Sequence, residues 1–95
     1  IQVNIGGESQ KSGINIDELE SLVLFCKTIN LELMGLMCIP PVSDEPLKYF
    51  KEMSKLNKFY GFSDLSMGMS SDYLVAAENS STYLRIGSNI FGQRY

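Results

Sequence analysis

Leu84-Arg85-Ile86-Gly87-Ser88-Asn89-Ile90-Phe91-Gly92 is the stretch on which the reading of the fold turns. It reads as a short buried strand that stops at Gly87 and passes at once into polar backbone. Ser88 and Asn89 are suited to cap a following turn, and Ile90 and Phe91 to anchor that turn to a core. A strand end, a glycine and then N–H groups at a helical turn suit an anion such as phosphate. The weight of that reading depends on what the chain builds beside it.

Thr82 to Ile86 is the fourth of four expected strands. Phe62 to Met67 is the third, broken by Gly68-Met69-Ser70-Ser71-Asp72, where Ser70 or Ser71 caps a helix through Ala76 and Ala77. Upstream, Leu47, Phe50, Met53, Leu56, Phe59 and Tyr60 recur at three- and four-residue steps, so this Met and aromatic stripe is expected in the core. Ser43 or Asp44 is placed to cap that helix, Pro46 falls in its first turn and Gly61 stops it. Leu31 to Ile39 is nearly all apolar and ends at Pro40-Pro41, the pattern of a buried parallel strand. Before it, Leu19, Leu22, Val23, Cys26 and Ile29 make one apolar helix face, entered through a capping-box-like Asn15 and Glu18. Cys26 lies on that stripe and reads as core, not as a reactive thiol. Ile1 to Ile5 alternates and is β-branched, as a first strand would be, and Gly6-Gly7 ends it. The order is βαβαβαβ, with crossovers long enough to join parallel neighbours right-handedly.

Composition narrows the classes. A chain of 95 residues, 44% apolar and 20% charged, is one ordinary globular domain at most. A net charge of -3 gives no electrostatic reason to expect nucleic acid. No apolar run approaches the roughly 18 residues that a membrane span needs. The start lacks a basic n-region, and Cys26 and Cys38 are too few for a disulfide framework, so a reduced, cytoplasmic setting is expected. There is no histidine, which removes Ser-His-Asp and Cys-His catalysis and HExxH zinc sites. No metal site is expected.

Four parallel strands and three helices make half of an eight-stranded barrel of about 250 residues, with a small open α/β sheet as the alternative. A half barrel leaves strand edges and apolar surface uncovered, which implies a missing half or self-association through those edges. In such barrels the site lies at the C-terminal strand ends, with phosphate often beyond the last two. Ser66-Met67-Gly68-Met69-Ser70 and Gly87-Ser88-Asn89 both fall there, although ordinary βα turns have the same composition. Arg85 is the single charge in an apolar strand. Two readings stay open for it: out to solvent or a carboxylate, or into the barrel mouth, where its donors would hold an acceptor on a ligand ring. Lys11 and Asp72 read as a solvated loop residue and a helix-start helper.

Ser66-Met67-Gly68-Met69-Ser70-Ser71-Asp72 resembles the "SMGMSxD" segment of the pyridoxal phosphate homeostasis protein family (YggS/PROSC type). Leu84 to Arg94 resembles that family's "VRIGxxIFGxR" ending, and Gln2-Val3-Asn4-Ile5, Lys11-Ser12-Gly13, Gly35-Leu36-Met37 and Ile39-Pro40 match in order. The resemblance implies a (β/α)8 barrel similar to the N-terminal domain of alanine racemase, of which residues 1–95 are the C-terminal half, strands five to eight. It implies pyridoxal 5′-phosphate as cofactor, held as a Schiff base by a lysine near the end of the first strand, outside this chain. Ser70, Gly87 and Ser88 would hold the cofactor phosphate and Arg85 would approach the pyridine nitrogen. The implied role is to keep the free cofactor in balance, without established enzymatic activity and with no catalytic residue in this chain. An amino-acid racemase or decarboxylase of the same barrel class is the alternative. Two departures stand out: Ser88 replaces the usual Thr, and Ser80 stands where the family commonly has Gly, so that helix end is expected to be strained or differently turned.

Overall fold

A computed structural model of the chain describes residues 1–9 and 11–91, without the side chains of Asn89 and Phe91. The described elements are α1 (Ile16–Thr28), β1 (Gly35–Met37), α2 (Pro46–Phe59), β2 (Asp64–Ser66), α3 (Tyr73–Glu78) and α4 (Ser88–Phe91). Gly92 to Tyr95, at the end of the matched motif, lie outside the described residues.

β1 and β2 pair in parallel, Leu36 opposite Leu65. Gln2 bridges to Met37 and Tyr83 to Ser66, both in parallel. The four extended segments therefore lie side by side in chain order, but only the middle two form strands. The expected four-stranded half barrel is thus a two-stranded sheet with single bridges at its margins. The reason on one side is chemical. The Ser81 hydroxyl donates to the carbonyls of Leu65 and Met67, and the Thr82 hydroxyl donates to Leu65 and accepts from its N–H. Side-chain hydroxyls thus share the backbone groups of Leu65 and Met67 with the backbone of Thr82 and Tyr83, where a regular ladder would have backbone bonds alone. Thr82, Tyr83 and Leu84 are exposed, whereas the strand from Leu84 was expected to be buried.

The helices cover one sheet face. Leu36 and Leu65 are buried, while Gly35, Met37, Asp64 and Ser66 on the other face are half-buried. A run apolar on both faces was expected from Leu31 to Ile39; instead the strand covers only Gly35–Met37, and Leu31 and Met34 before it are exposed. The core under the helices joins Val3, Leu19, Val23, Leu36, Phe50, Met53, Leu65 and Met67. Cys26 is buried on α1, as the stripe predicts, whereas Ile29 is exposed. On α2, Phe50 and Met53 are buried but Phe59 is 78% exposed, since it lies on the pole of the helix opposite Phe50.

One buried polar residue ties these layers together. Asn57, on the inner face of α2, accepts a hydrogen bond from the Leu36 N–H (3.1 Å) and donates to the Asp64 carbonyl (2.9 Å). It therefore joins α2 to both strands. Beside it, β1 and β2 approach so closely that a Cβ on Gly35 would collide with the Asp64 carbonyl.

Helix starts depart from expectation and helix ends follow one rule. Asn15 is the N-cap of α1, but its side chain donates to Glu18 Oε1 and makes no cap bond. Glu45, not Ser43 or Asp44, is the N-cap of α2. Asp44 accepts instead from the Tyr49 hydroxyl, Lys48 and the Glu45 N–H, contacts that hold its carboxyl down to about 2. Asp72, not Ser70 or Ser71, precedes α3, which ends at Glu78. Past each of the three longer helices sits a left-handed residue, with φ of 57° at Asn30, 74° at Gly61 and 74° at Ser80. The next residue, Leu31, Phe62 or Ser81, donates to the carbonyl of Cys26, Asn57 or Ala76, closing the last turn. Of the three types in that seat, Ser is the least suited.

Two outcomes are expected from urea unfolding of the chain. Asn57→Ala, which orphans a buried N–H and a carbonyl, should cost about 2–3 kcal/mol. Ser80→Gly, which relieves the left-handed backbone, should raise stability by roughly 0.5–1 kcal/mol.

Candidate functional site

The site is built where the two extended segments on the C-terminal side of the sheet run out. After β2 the chain turns through Gly68, at φ 109°, and a Cβ there would press on both Ala76 Cβ and Leu84 Cδ2 at 2.8 Å. Asp72 then locks the turn: its carboxylate accepts from the Met69 N–H (2.7 Å) and its own N–H donates to the Met69 carbonyl. This explains why Asp72 precedes α3 yet makes no cap bond to it. The last segment docks on the same turn, with the Arg85 N–H donating to the Gly68 carbonyl (2.9 Å). Two residues later the Gly87 N–H donates to Ser70 Oγ (3.1 Å).

Met69, Ser70, Ser71, Arg85, Ile86, Gly87 and Ser88 line an open cleft of about 600 Å³. All four residues singled out in the sequence, Ser70, Arg85, Gly87 and Ser88, therefore share one cleft at the C-terminal strand ends. Ser88 opens α4 instead of capping it. Ile90, expected to anchor this turn, is 67% exposed; Phe91, expected to do the same, lies outside the described side chains.

Arg85 uses its donors on protein groups at the strand ends. Its Nη1 donates to Ser66 Oγ (2.8 Å), its Nη2 to the Cys38 carbonyl (3.0 Å) and its Nε to Met69 Sδ (3.4 Å). The guanidinium thus lies across the ends of β2 and β1, and no carboxylate pairs with it among the described residues. Two of these partners, Ser66 and the Cys38 carbonyl, and one neighbouring cation, Lys11, have no site role in the sequence reading. Ser66 was quoted only as part of a turn, although a polar residue alternating with buried Leu65 signals the uncovered sheet face. The Cys38 carbonyl carries no sequence signal. Lys11, read as a solvated loop residue, reaches over the end of β1, its Nζ 3.3 Å from the Ile39 carbonyl and 3.4 Å from that of Pro40.

With this geometry in view, the comparisons with known proteins are specific. The family model for the alanine racemase N-terminal domain matches residues 1–95. The chain belongs to that family. Within it, the chain is 38% identical to the pyridoxal phosphate homeostasis protein of Aquifex aeolicus, covering 99% of this chain and 46% of the relative. It is 45% identical to the protein of that name from Vibrio cholerae, covering 99% and 44%. The chain thus spans less than half the length of these curated relatives. Among solved structures it is similar to an unknown protein from Bifidobacterium adolescentis, with a TM-score of 0.79 and 32% identity over 95% of this chain and 41% of that one. PipY of Synechococcus elongatus, solved without PLP, shares the fold at a TM-score of 0.83 and 24% identity, over 97% and 48%. The resemblance read from the two C-terminal motifs agrees with all of these. No described helix is long and apolar enough to cross a membrane.

Cys38 sits under the guanidinium, and burial pushes its thiol from 9.0 up to about 12, against a smaller opposing pull from Arg85. A thiol that ionises later when folded stabilises the fold at pH below 9. That contribution is lost as pH rises from 9 towards 12, by at most about 1.4 kcal/mol per pH unit. The urea midpoint of the chain is accordingly expected to fall more steeply between pH 9 and 11 than that of Cys38→Ala, whatever the variant's starting stability.

Proposed function

We propose that residues 1–95 supply the phosphate side of a pyridoxal 5′-phosphate site, in a barrel protein that stores and releases the cofactor. On this reading the chain contributes strands five to eight, and the lysine that binds the cofactor covalently lies outside it. The curated relatives carry the name pyridoxal phosphate homeostasis protein, and the four extended segments follow one another in barrel order.

The observation that carries the proposal is Gly87. Its φ is not left-handed, and a Cβ there would meet no described atom within 4 Å. Neither backbone strain nor packing among the described residues calls for glycine. A ligand approaching the backbone from the cleft does. Beside it, Ser70 is oriented by the Gly87 N–H, and Ser88 offers a hydroxyl from the opposite wall of the cleft. These are donors of the kind that surround a phosphate.

Bound pyridoxal 5′-phosphate supplies an aldehyde for amines and a ring that serves as an electron sink when its nitrogen is protonated. Arg85 keeps its positive charge at any physiological pH, and Ser66 and Cys38 hold it in place. A fixed cation facing the ring nitrogen disfavours its protonation and weakens the sink. That suits a reservoir better than a catalyst of amino-acid turnover.

The test uses the complete protein that contains this chain. Pyridoxal 5′-phosphate uptake, read by absorbance and mass spectrometry, should be stoichiometric. Ser70→Ala and Gly87→Ala should each weaken binding about tenfold or more, the loss of one charge-assisted hydrogen bond or of close backbone approach. The melting temperature of the cofactor-free variants should stay within about 2 °C of wild type. A complete protein that takes up no cofactor overturns the proposal, and steady turnover of an amino acid transfers it to the racemase or decarboxylase class.

A further inference from the structure

Among the described residues that line the cleft, Arg85 is the one charged side chain. Its guanidinium is taken up at the strand ends by Ser66, the Cys38 carbonyl and Met69 Sδ. The corner formed by Ser70, Gly87 and Ser88 therefore meets an anion with hydroxyls and backbone, all of them neutral. The charge that follows two residues after Ser70 has the same sign as the anion. It is the carboxylate of Asp72.

Asp72 closes a four-residue turn at both ends. Its N–H donates to the Met69 carbonyl (3.1 Å), which makes Ser70 and Ser71 the central residues, and its Oδ1 accepts from the Met69 N–H (2.7 Å). The first and last Cα atoms of such a turn are less than about 7 Å apart. The carboxylate is thus held behind the residue whose hydroxyl meets the Gly87 N–H. Met69, fixed in the same way, is also the residue whose sulfur accepts from Arg85. Asp72 does not line the cleft; with Ile39, Pro41 and Val42 it lines a separate cavity of about 270 Å³. Its field nevertheless reaches the strand ends: beside the burial that raises it most, the Cys38 thiol is pulled down by Arg85 and pushed up by Asp72. The geometry of the turn does not require that charge. An Asn side chain offers the Met69 N–H the same acceptor, and Asp72 makes no cap bond to α3 that would call for a carboxylate.

Given the phosphate site proposed above, we infer that Asp72 is its positioning residue and, through its charge, the residue that limits its grip on the phosphate. The acceptor oxygen sets the turn that aims Ser70 and seats Met69 against Arg85. The negative charge repels the phosphate that the same turn helps to place. The two effects have opposite signs, and a corner of neutral donors leaves the repulsion uncancelled. Like charges separated by the width of a turn in a partly solvated cleft raise the dissociation constant by about three- to tenfold.

The experiment compares Asp72→Asn and Asp72→Ala with wild type in the complete protein that contains this chain. Asn keeps the acceptor and removes the charge, whereas Ala removes both. The dissociation constant for pyridoxal 5′-phosphate, from absorbance titration, should be about three- to tenfold lower in Asp72→Asn than in wild type. That ratio should shrink in about 0.5 M NaCl, as salt screens the carboxylate. Asp72→Ala should bind about fivefold more weakly than Asp72→Asn, the loss of one hydrogen bond in the turn. Without cofactor, hydrogen exchange at the Gly87 amide should match wild type in Asp72→Asn and be faster in Asp72→Ala, because Ser70 is no longer held opposite it. An Asp72→Asn protein that binds no tighter than wild type, or whose advantage survives salt undiminished, overturns the role of the charge. Gly87 exchange that is equal in the Asn and Ala variants, or already faster in Asp72→Asn, overturns the positioning role. In both cases a wild type that takes up the cofactor leaves the phosphate site standing. A wild type that takes up none overturns that site and the repulsion with it, while Gly87 exchange still decides whether Asp72 positions Ser70.

Discussion

Everything in this small fold hangs on one side-chain amide. Asn57 faces two strand residues, Leu36 and Asp64, whose backbone groups it takes up from α2. Its own carbonyl closes the end of α2 by accepting from the Phe62 N–H. A helix end, two strands and the turn into β2 are thus fixed by a single residue with both of its polar ends occupied. A sheet of only two three-residue strands has few ladder bonds of its own, and a buried amide that is fully satisfied specifies the register where the ladder cannot. Gly35 completes the constraint, since any side chain there would hold the strands apart.

The register fixed in this way is what places the cleft. β2 ends at Ser66, so the Gly68 turn begins at a defined height, and Asp72 folds that turn back on Met69. The last segment then has one place to dock, with Arg85 on the Gly68 carbonyl and Gly87 on Ser70. Arg85 reads out the same register a second time. Its guanidinium reaches Ser66 and Cys38 together only because β1 and β2 end level.

Much of this was legible in the sequence where a local physical rule decides. Apolar spacing placed α1 and α2, Gly61 marked the end of α2, and the paired Gly/Ser clusters placed Ser70, Gly87 and Ser88 in one cleft. Ser80 was flagged from its place in the family pattern and does adopt the left-handed backbone. What failed depended on neighbours that no local pattern encodes. Leu31, Met34 and Leu84 read as buried because apolar residues usually are, yet all three lie outside the short strands and are exposed. Phe59 and Ile90 fail similarly, as apolar residues on faces that the chain itself leaves open. The caps failed for a different reason: Asp44 and Asp72 use their carboxylates on turns and on Tyr49 in place of the helix N–H groups. Asn57 was passed over because a lone polar residue on a helix is ordinarily solvated.

The three helix ends differ in a way that bears on dynamics. α1 closes on Asn30 and α2 on Gly61, residues that tolerate the left-handed seat, whereas six-residue α3 closes on Ser80 and buries only Ala76. A helix that short gains little from its own turns, and its strained end lowers the cost of opening further. Among the three longer helices, α3 is therefore the one whose amides exchange with solvent first, by local opening that leaves β1, β2 and Asn57 intact. Because α3 follows directly on the turn that carries Ser70, one wall of the cleft can loosen while the frame stays closed.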